Sequence, residues 1–170
     1  MIVLVLGGTR SGKSGVAESV AESLGPVVTY VAPAALDGKD ADFAVRVAAH
    51  QARRPAHWGT VECEAPEDMP RFLADIEGVA LIDSLGTWVA RHSDLAVEAD
   101  GLLDALVRRT DPVVIVSEEV GLSVHAPTES GRRFADALGL LNQRVAAAAD
   151  RVLLVVAGRV LELPGSEGVD

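Results

Sequence analysis

The eight residues Gly7-Gly8-Thr9-Arg10-Ser11-Gly12-Lys13-Ser14 match the pattern G-x-x-x-x-G-K-[ST] in full. Glycines at this spacing let the backbone curl until several N–H groups point at one phosphate, with the positive end of the following helix behind them. Lys13 adds a mobile cation for the β- and γ-phosphates, and Ser14 adds a hydroxyl for Mg2+. The competing reading is a glycine turn with no ligand. The apolar run before the pattern and the helix-compatible segment after it favour the phosphate site. The pattern is specific for a nucleotide and silent about the reaction. Only two lysines occur in the chain, Lys13 and Lys39, which makes the position of the first more informative.

Two further residue types carry chemistry. Asp83 closes the run Val79-Ala80-Leu81-Ile82, which places a carboxylate at the tip of a buried strand, where a second Mg2+-organising group is expected. A helix N-cap for the next segment suits the same Asp. His50 stands among Arg46, Arg53 and Arg54. Arginines one turn away can hold a triphosphate while a neutral ring nitrogen attacks phosphorus. From spacing alone, however, a packed helical histidine sharing a face with Phe43 and Val47 is the simpler reading. Glu62, in a short strand candidate from Gly59 to Cys63, suits an acceptor for a base or ribose, but by itself a solvated charge is the simpler reading.

These residues need a frame, and the hydrophobic pattern supplies one. Met1 to Leu6, Val27 to Val31, Val79 to Ile82, Pro112 to Ser117 and Arg151 to Ala157 are short apolar runs of the kind shown by strands buried on both faces. Val160 to Leu163 follows Gly158-Arg159, a dipeptide suited to a tight hairpin, so the last strand should run antiparallel to the one before. Between them lie helical segments: Lys13 to Leu24, Ala41 to Arg54, Glu67 to Ile76 after Pro66, Leu95 to Arg109, and Thr128 to Asp150 with Thr128 as its cap. Alternation of this kind predicts an α/β fold: a P-loop NTPase-like, mostly parallel sheet with helices on both faces and a C-terminal antiparallel strand. In such sheets ligands bind beyond the carboxyl ends of the strands.

Composition narrows the class. The chain has 170 residues, 49% hydrophobic and 24% charged, with 15 Lys+Arg against 25 Asp+Glu and a formal net charge of −10. That length predicts one nucleotide-binding domain over residues 1–170. The acidic balance argues against nucleic-acid binding, which draws on clustered cations. No run approaches the ~18 apolar residues of a membrane span. One cysteine, Cys63, precludes an internal bridge and agrees with a reducing, cytoplasmic setting.

Taken together, the blocks GGTRSGKS (7–14), DADFAVRVAAHQARRPAHW (40–58), TVEC around Glu62, LIDSLGTWV (81–89), VSEEVG (116–121) and GRRFADALGLLNQRVAAAADRVLLVVAG (131–158) resemble one family. It is the bifunctional adenosylcobinamide kinase / adenosylcobinamide-phosphate guanylyltransferase family of cobalamin biosynthesis. The resemblance implies two reactions. An ATP or GTP γ-phosphoryl group goes to the aminopropanol hydroxyl of adenosylcobinamide. GMP then passes from GTP, through a histidine phosphoramidate, to adenosylcobinamide phosphate.

It places the nucleophile on His50. It places nucleotide contacts on Gly7 to Ser14 (Gly7, Gly8, Thr9, Arg10, Ser11, Gly12, Lys13, Ser14), on Ala32, Pro33 and Ala34, on Gln51, Ala52, Arg53 and Arg54, and on Glu62 and Asp83. Mg2+ is implied as cofactor at Ser14 and Asp83, and a homo-oligomer, a trimer, as the assembly. Where the family usually reads Asn-Glu-Val-Gly, this chain has Glu118-Glu119-Val120-Gly121, exchanging an amide for a charge.

Overall fold

Val3, Leu4 and Val5 in the first strand are wholly inaccessible to solvent, which requires cover on both faces of the sheet. In the computed structural model, which describes residues 1–33, 54–122 and 126–165, that cover comes from helices packed on a seven-stranded sheet. The strands are β1 (Ile2–Gly7), β2 (Val28–Ala32), β3 (Gly59–Glu62), β4 (Val79–Asp83), β5 (Val113–Glu118), β6 (Arg151–Val156) and β7 (Arg159–Leu163). The helices are α1 (Lys13–Leu24), α2 (Met69–Asp75), α3 (Leu85–Arg91), α4 (Ala99–Arg108) and α5 (Glu129–Ala148). Strand order is β3-β2-β4-β5-β1-β6-β7, all parallel except the β6–β7 pair. The predicted α/β fold is therefore the observed one. Of the segment Ala41 to Arg54, expected as a helix, all but Arg54 lies outside the described residues.

The alternation of side chains along β1 divides the core. Ile2, Leu4 and Leu6 enter one cluster with Ile82, Ile115, Trp88, Leu102, Leu106, Leu138 and Leu141, under α2 to α5. Val3 and Val5 enter the other with Tyr30, Trp58, Val114 and Val116, under α1. Helix α1 buries Ala17 and Ala21 completely, and small residues there let it lie close to the strands. Thr128 caps α5 as expected, its side chain accepting from the Gly131 N–H at 3.1 Å.

Several local expectations need correction. The hairpin turn is Ala157-Gly158, one residue earlier than Gly158-Arg159, because Arg159 pairs with Val156. Both turn residues have positive φ, 50° and 74°, as a two-residue hairpin matched to the strand twist requires. The helix expected from Leu95 begins at Ala99, since Asp94 and Leu95 both have φ 58° and break it. Pro66 starts a short 3-10 turn (Pro66–Asp68) that precedes α2. Helix α3, with its Gly86 and Thr87, has no counterpart among the expected elements.

Two features make stability predictions. Arg109 gathers the carbonyls at the end of α2, donating to Leu73 O and Ile76 O at 2.6 Å each and to Gly78 O. Burial lowers its pKa from the usual value, yet a guanidinium stays protonated. Arg109→Ala leaves three carbonyls without this donor, and we expect a loss of about 3 kcal/mol in urea unfolding.

Cys63 is fully buried, and its thiol is pushed up to about 11, chiefly by burial and further by Asp68. A folded-state value above the unfolded one gives stability that is complete below the unfolded value, near 9, and lost as pH rises through 11. The drop in unfolding free energy between those limits should shrink by about 2 kcal/mol in Cys63→Ala. Burial raises the Tyr30 hydroxyl too, which adds to the alkaline loss in both proteins.

Candidate active site

All the described residues expected at the site lie along one edge of the sheet, because parallel strands end together. Gly7, Ala32, Glu62 and Asp83 are terminal residues of β1, β2, β3 and β4. Ala32 pairs with Glu62 and Gly7 with Glu118 across neighbouring strands. From β1 to β3 the edge crosses β5, β4 and β2, a span of roughly 19 Å at about 4.8 Å per strand.

At the β1 end the phosphate-binding loop is built. Gly7 needs to be glycine: a Cβ there would overlap Ser11 Oγ and stand 2.8 Å from Val155 O. Gly12, at φ 94°, caps α1 in a conformation that side chains resist. The Ser11 N–H donates to Gly8 O at 3.2 Å and closes the turn. Buried Ser11 accepts from the Lys13 N–H through Oγ at 3.3 Å. Its carbonyl accepts from the Gly158 N–H at 2.8 Å, which ties the β6–β7 hairpin to the loop. Lys13 Nζ stands 3.4 Å from Gly8 O and 3.5 Å from the Glu118 carboxylate. Gly8, Thr9 and Arg10 are exposed beside it.

Asp83 is half-buried at the tip of β4. The cap of α3 is Ser84, whose side chain accepts from the Thr87 N–H, so the N-cap alternative for Asp83 falls away. Tyr30 OH stands at 3.5 Å from Asp83 O, and the Arg54 guanidinium lies 3.1 Å from the centre of the Tyr30 ring. That stacking carries a cation from the 54 position toward the strand tips. Pro33 O accepts from Arg91 Nη1 at 3.1 Å, and the same guanidinium takes Cys63 O and Glu64 O at 2.7 Å each. Arg91 of α3 therefore sets the spacing between the chains leaving β2 and β3. Glu62 is exposed. Ala34, His50, Gln51, Ala52 and Arg53 lie outside the described residues.

Among the described residues no group of three or more His, Cys, Asp or Glu is placed to hold a metal alone. The Ser14 hydroxyl and Asp83 carboxylate are hard oxygen donors, and Mg2+ commonly binds through one or two protein oxygens together with substrate phosphates. The residues fit that cofactor. Asn142, buried on α5, accepts from Ser117 Oγ at 2.6 Å and donates to Glu118 O at 3.0 Å, which fixes the end of β5.

Residues 3–163 match the family described as cobinamide kinase / cobinamide phosphate guanyltransferase, CobU. The chain belongs to this family. It is a transferase of the kinase and guanylyltransferase class. The bifunctional adenosylcobalamin biosynthesis protein CobP of Pseudomonas aeruginosa is 37% identical over 169 residues, covering 95% of this chain and 96% of that one. CobU of Salmonella typhimurium, which bears the same description, is 35% identical over 179 residues, covering 93% and 97%. The flagellar accessory protein FlaH of Methanocaldococcus jannaschii aligns structurally with a TM-score of 0.48 at 12% identity, over 95% of this chain and 75% of that one. In this CobU-family member no helix among the described residues is long and apolar enough to cross a membrane.

The arrangement also holds residues that sequence reasoning missed. Arg91 holds backbone carbonyls, and Asn142 holds Glu118 O and the Ser117 hydroxyl; their local signals are a basic residue in a last helical turn and a polar residue on an apolar face. The contact of Glu118 with Lys13 depends on β5 lying beside β1, which no local pattern specifies.

Proposed function

We propose that this chain phosphorylates adenosylcobinamide with ATP or GTP. It then transfers GMP from GTP, through a phosphoramidate on His50, to adenosylcobinamide phosphate, giving adenosylcobinamide-GDP. The observation that carries the reading is the family match over residues 3–163, which takes in both the phosphate-binding loop and the segment around His50. The order of the strand tips supports it: the phosphate-binding loop after β1, an acid at the end of β4 and a further acceptor, Glu62, at the end of β3 lie at the same edge of the sheet. Residues 1–170 act as one nucleotide-binding domain, working in the cytoplasm as a homo-oligomer, a trimer by resemblance.

In this mechanism the N–H groups of Gly8 to Lys13 and the start of α1 hold the β- and γ-phosphates. Lys13 leaves Glu118 and Gly8 O to meet them. Ser14 and Asp83 would hold Mg2+, which neutralises charge on the phosphates when bound. Ala32, Pro33, Ala34 and Glu62 orient the nucleoside at the far end of the edge, with Gln51, Ala52, Arg53 and Arg54 contributing from the turn after the histidine. A neutral His50 ring nitrogen attacks the α-phosphorus and forms the P–N bond; the bond to pyrophosphate breaks and the ring sheds its proton. An oxygen of cobinamide phosphate then attacks the same phosphorus and the P–N bond breaks, returning the imidazole. Attack needs a ring nitrogen with a free lone pair, which the neutral imidazole provides. The net charge of −10 does not oppose the triphosphate, since distant charges are screened beyond ~8 Å.

The test is product analysis after incubation with adenosylcobinamide and GTP. Adenosylcobinamide-GDP is the product expected. Adenosylcobinamide phosphate alone would make the chain a plain small-molecule kinase, and nucleotide binding without any corrinoid product would make it a regulatory protein.

A further inference from the structure

We propose that Glu118 makes this site select nucleotides by the charge state of their phosphates, favouring phosphates that arrive with a divalent cation over bare ones. The inference rests on the reading of Gly7 to Ser14 as a nucleotide site. Its observation is a carboxylate that meets the loop's cation and is held there by other groups. Glu118 closes β5, level with Gly7, and stands 3.5 Å from Lys13 Nζ. Ser84 Oγ lies 3.0 and 3.1 Å from its two oxygens, and the Gly86 N–H donates to Oε2 at 3.1 Å. A Cβ at Gly86 would overlap that oxygen, so the glycine is a recess for the carboxylate. The backbone is tied as well, through Asn142 to Glu118 O and through the Glu119 N–H to Gly7 O at 3.1 Å.

When Lys13 turns to the phosphates, the carboxylate therefore stays in place. The cation then sits between phosphate and a fixed anion, and part of its charge is already offset. Bare phosphates meet a weakened cation with an acid behind it. Phosphates carrying a divalent ion bring their own compensation, and the acid costs them little. The two side chains are 12% and 30% exposed, so solvent screens this interaction only in part.

The experiment is calorimetric binding of GDP, which lacks the pyrophosphate leaving group of the proposed GMP transfer, to the full chain. It is run in excess Mg2+ and again in EDTA, for the wild type, Glu118→Gln and Glu118→Asn. Two amides are used so that a folding defect in one leaves the other to be read. The amide should tighten metal-free GDP about tenfold while changing Mg2+-GDP binding by less than about threefold. The Mg2+-to-EDTA affinity ratio should thus fall. A purely structural role would weaken both affinities together and leave the ratio alone, and that result overturns the proposal. Absence of GDP binding to the wild type in either buffer overturns the nucleotide reading itself, and this inference with it.

Discussion

Lys13→Ala should lower both γ-phosphoryl transfer and GMP transfer by about two to three orders of magnitude in kcat/KM. In the structure the ammonium is placed between Gly8 O and Glu118, with the loop's glycines and Ser11 shaping the backbone around it. It is the lysine of the matched loop pattern, and the other lysine of the chain, Lys39, lies outside the described residues. Removing it leaves Glu118 facing the phosphates with no cation between, so the loss should exceed that of a neutral hydrogen-bond donor. The fold should survive: α1 is held by Ala17 and Ala21 in the core, while the Lys13 ammonium reaches to Gly8 O and Glu118 at the loop. Steady-state kinetics of the two reactions check this, with a thermal melt alongside. Loss of one activity with retention of the other would mean that the loop serves a single step.

His50→Ala should separate the steps. GMP transfer should fall by about four orders of magnitude, because the proposed P–N bond forms on that ring. Phosphorylation of cobinamide should persist, since it requires the phosphate-binding loop and not the imidazole. Assays of the two products in parallel, with supplied cobinamide phosphate for the second, decide it. Full GMP transfer in the variant would mean direct attack by the acceptor and a structural role for this histidine.

The loop and the strands were legible in the sequence because each is governed by local physics. A phosphate cradle needs glycine where a Cβ would collide, as at Gly7, and where φ is positive, as at Gly12. Strands buried on both faces must be continuous apolar runs, and β1, β4 and β5 are. Helix α3 was hidden by its length of seven residues and its glycine, although Ser84 was itself an N-cap signal. The hairpin turn was misplaced by one residue because alanine rarely takes positive φ, and Ala157 does so here. Residues that act across the sheet, such as Glu118 on Lys13 or Arg91 on Pro33, depend on strand order. Strand order follows from the packing of whole layers, and a single chain's periodicity does not encode it locally.

An intact-mass spectrum of the protein after brief exposure to GTP and Mg2+, without corrinoid, bears most directly on the two-step scheme. The scheme predicts one added guanylyl group, released by acid, retained in base, and absent from His50→Ala. An unmodified wild-type mass, or the same adduct on the alanine variant, would contradict it.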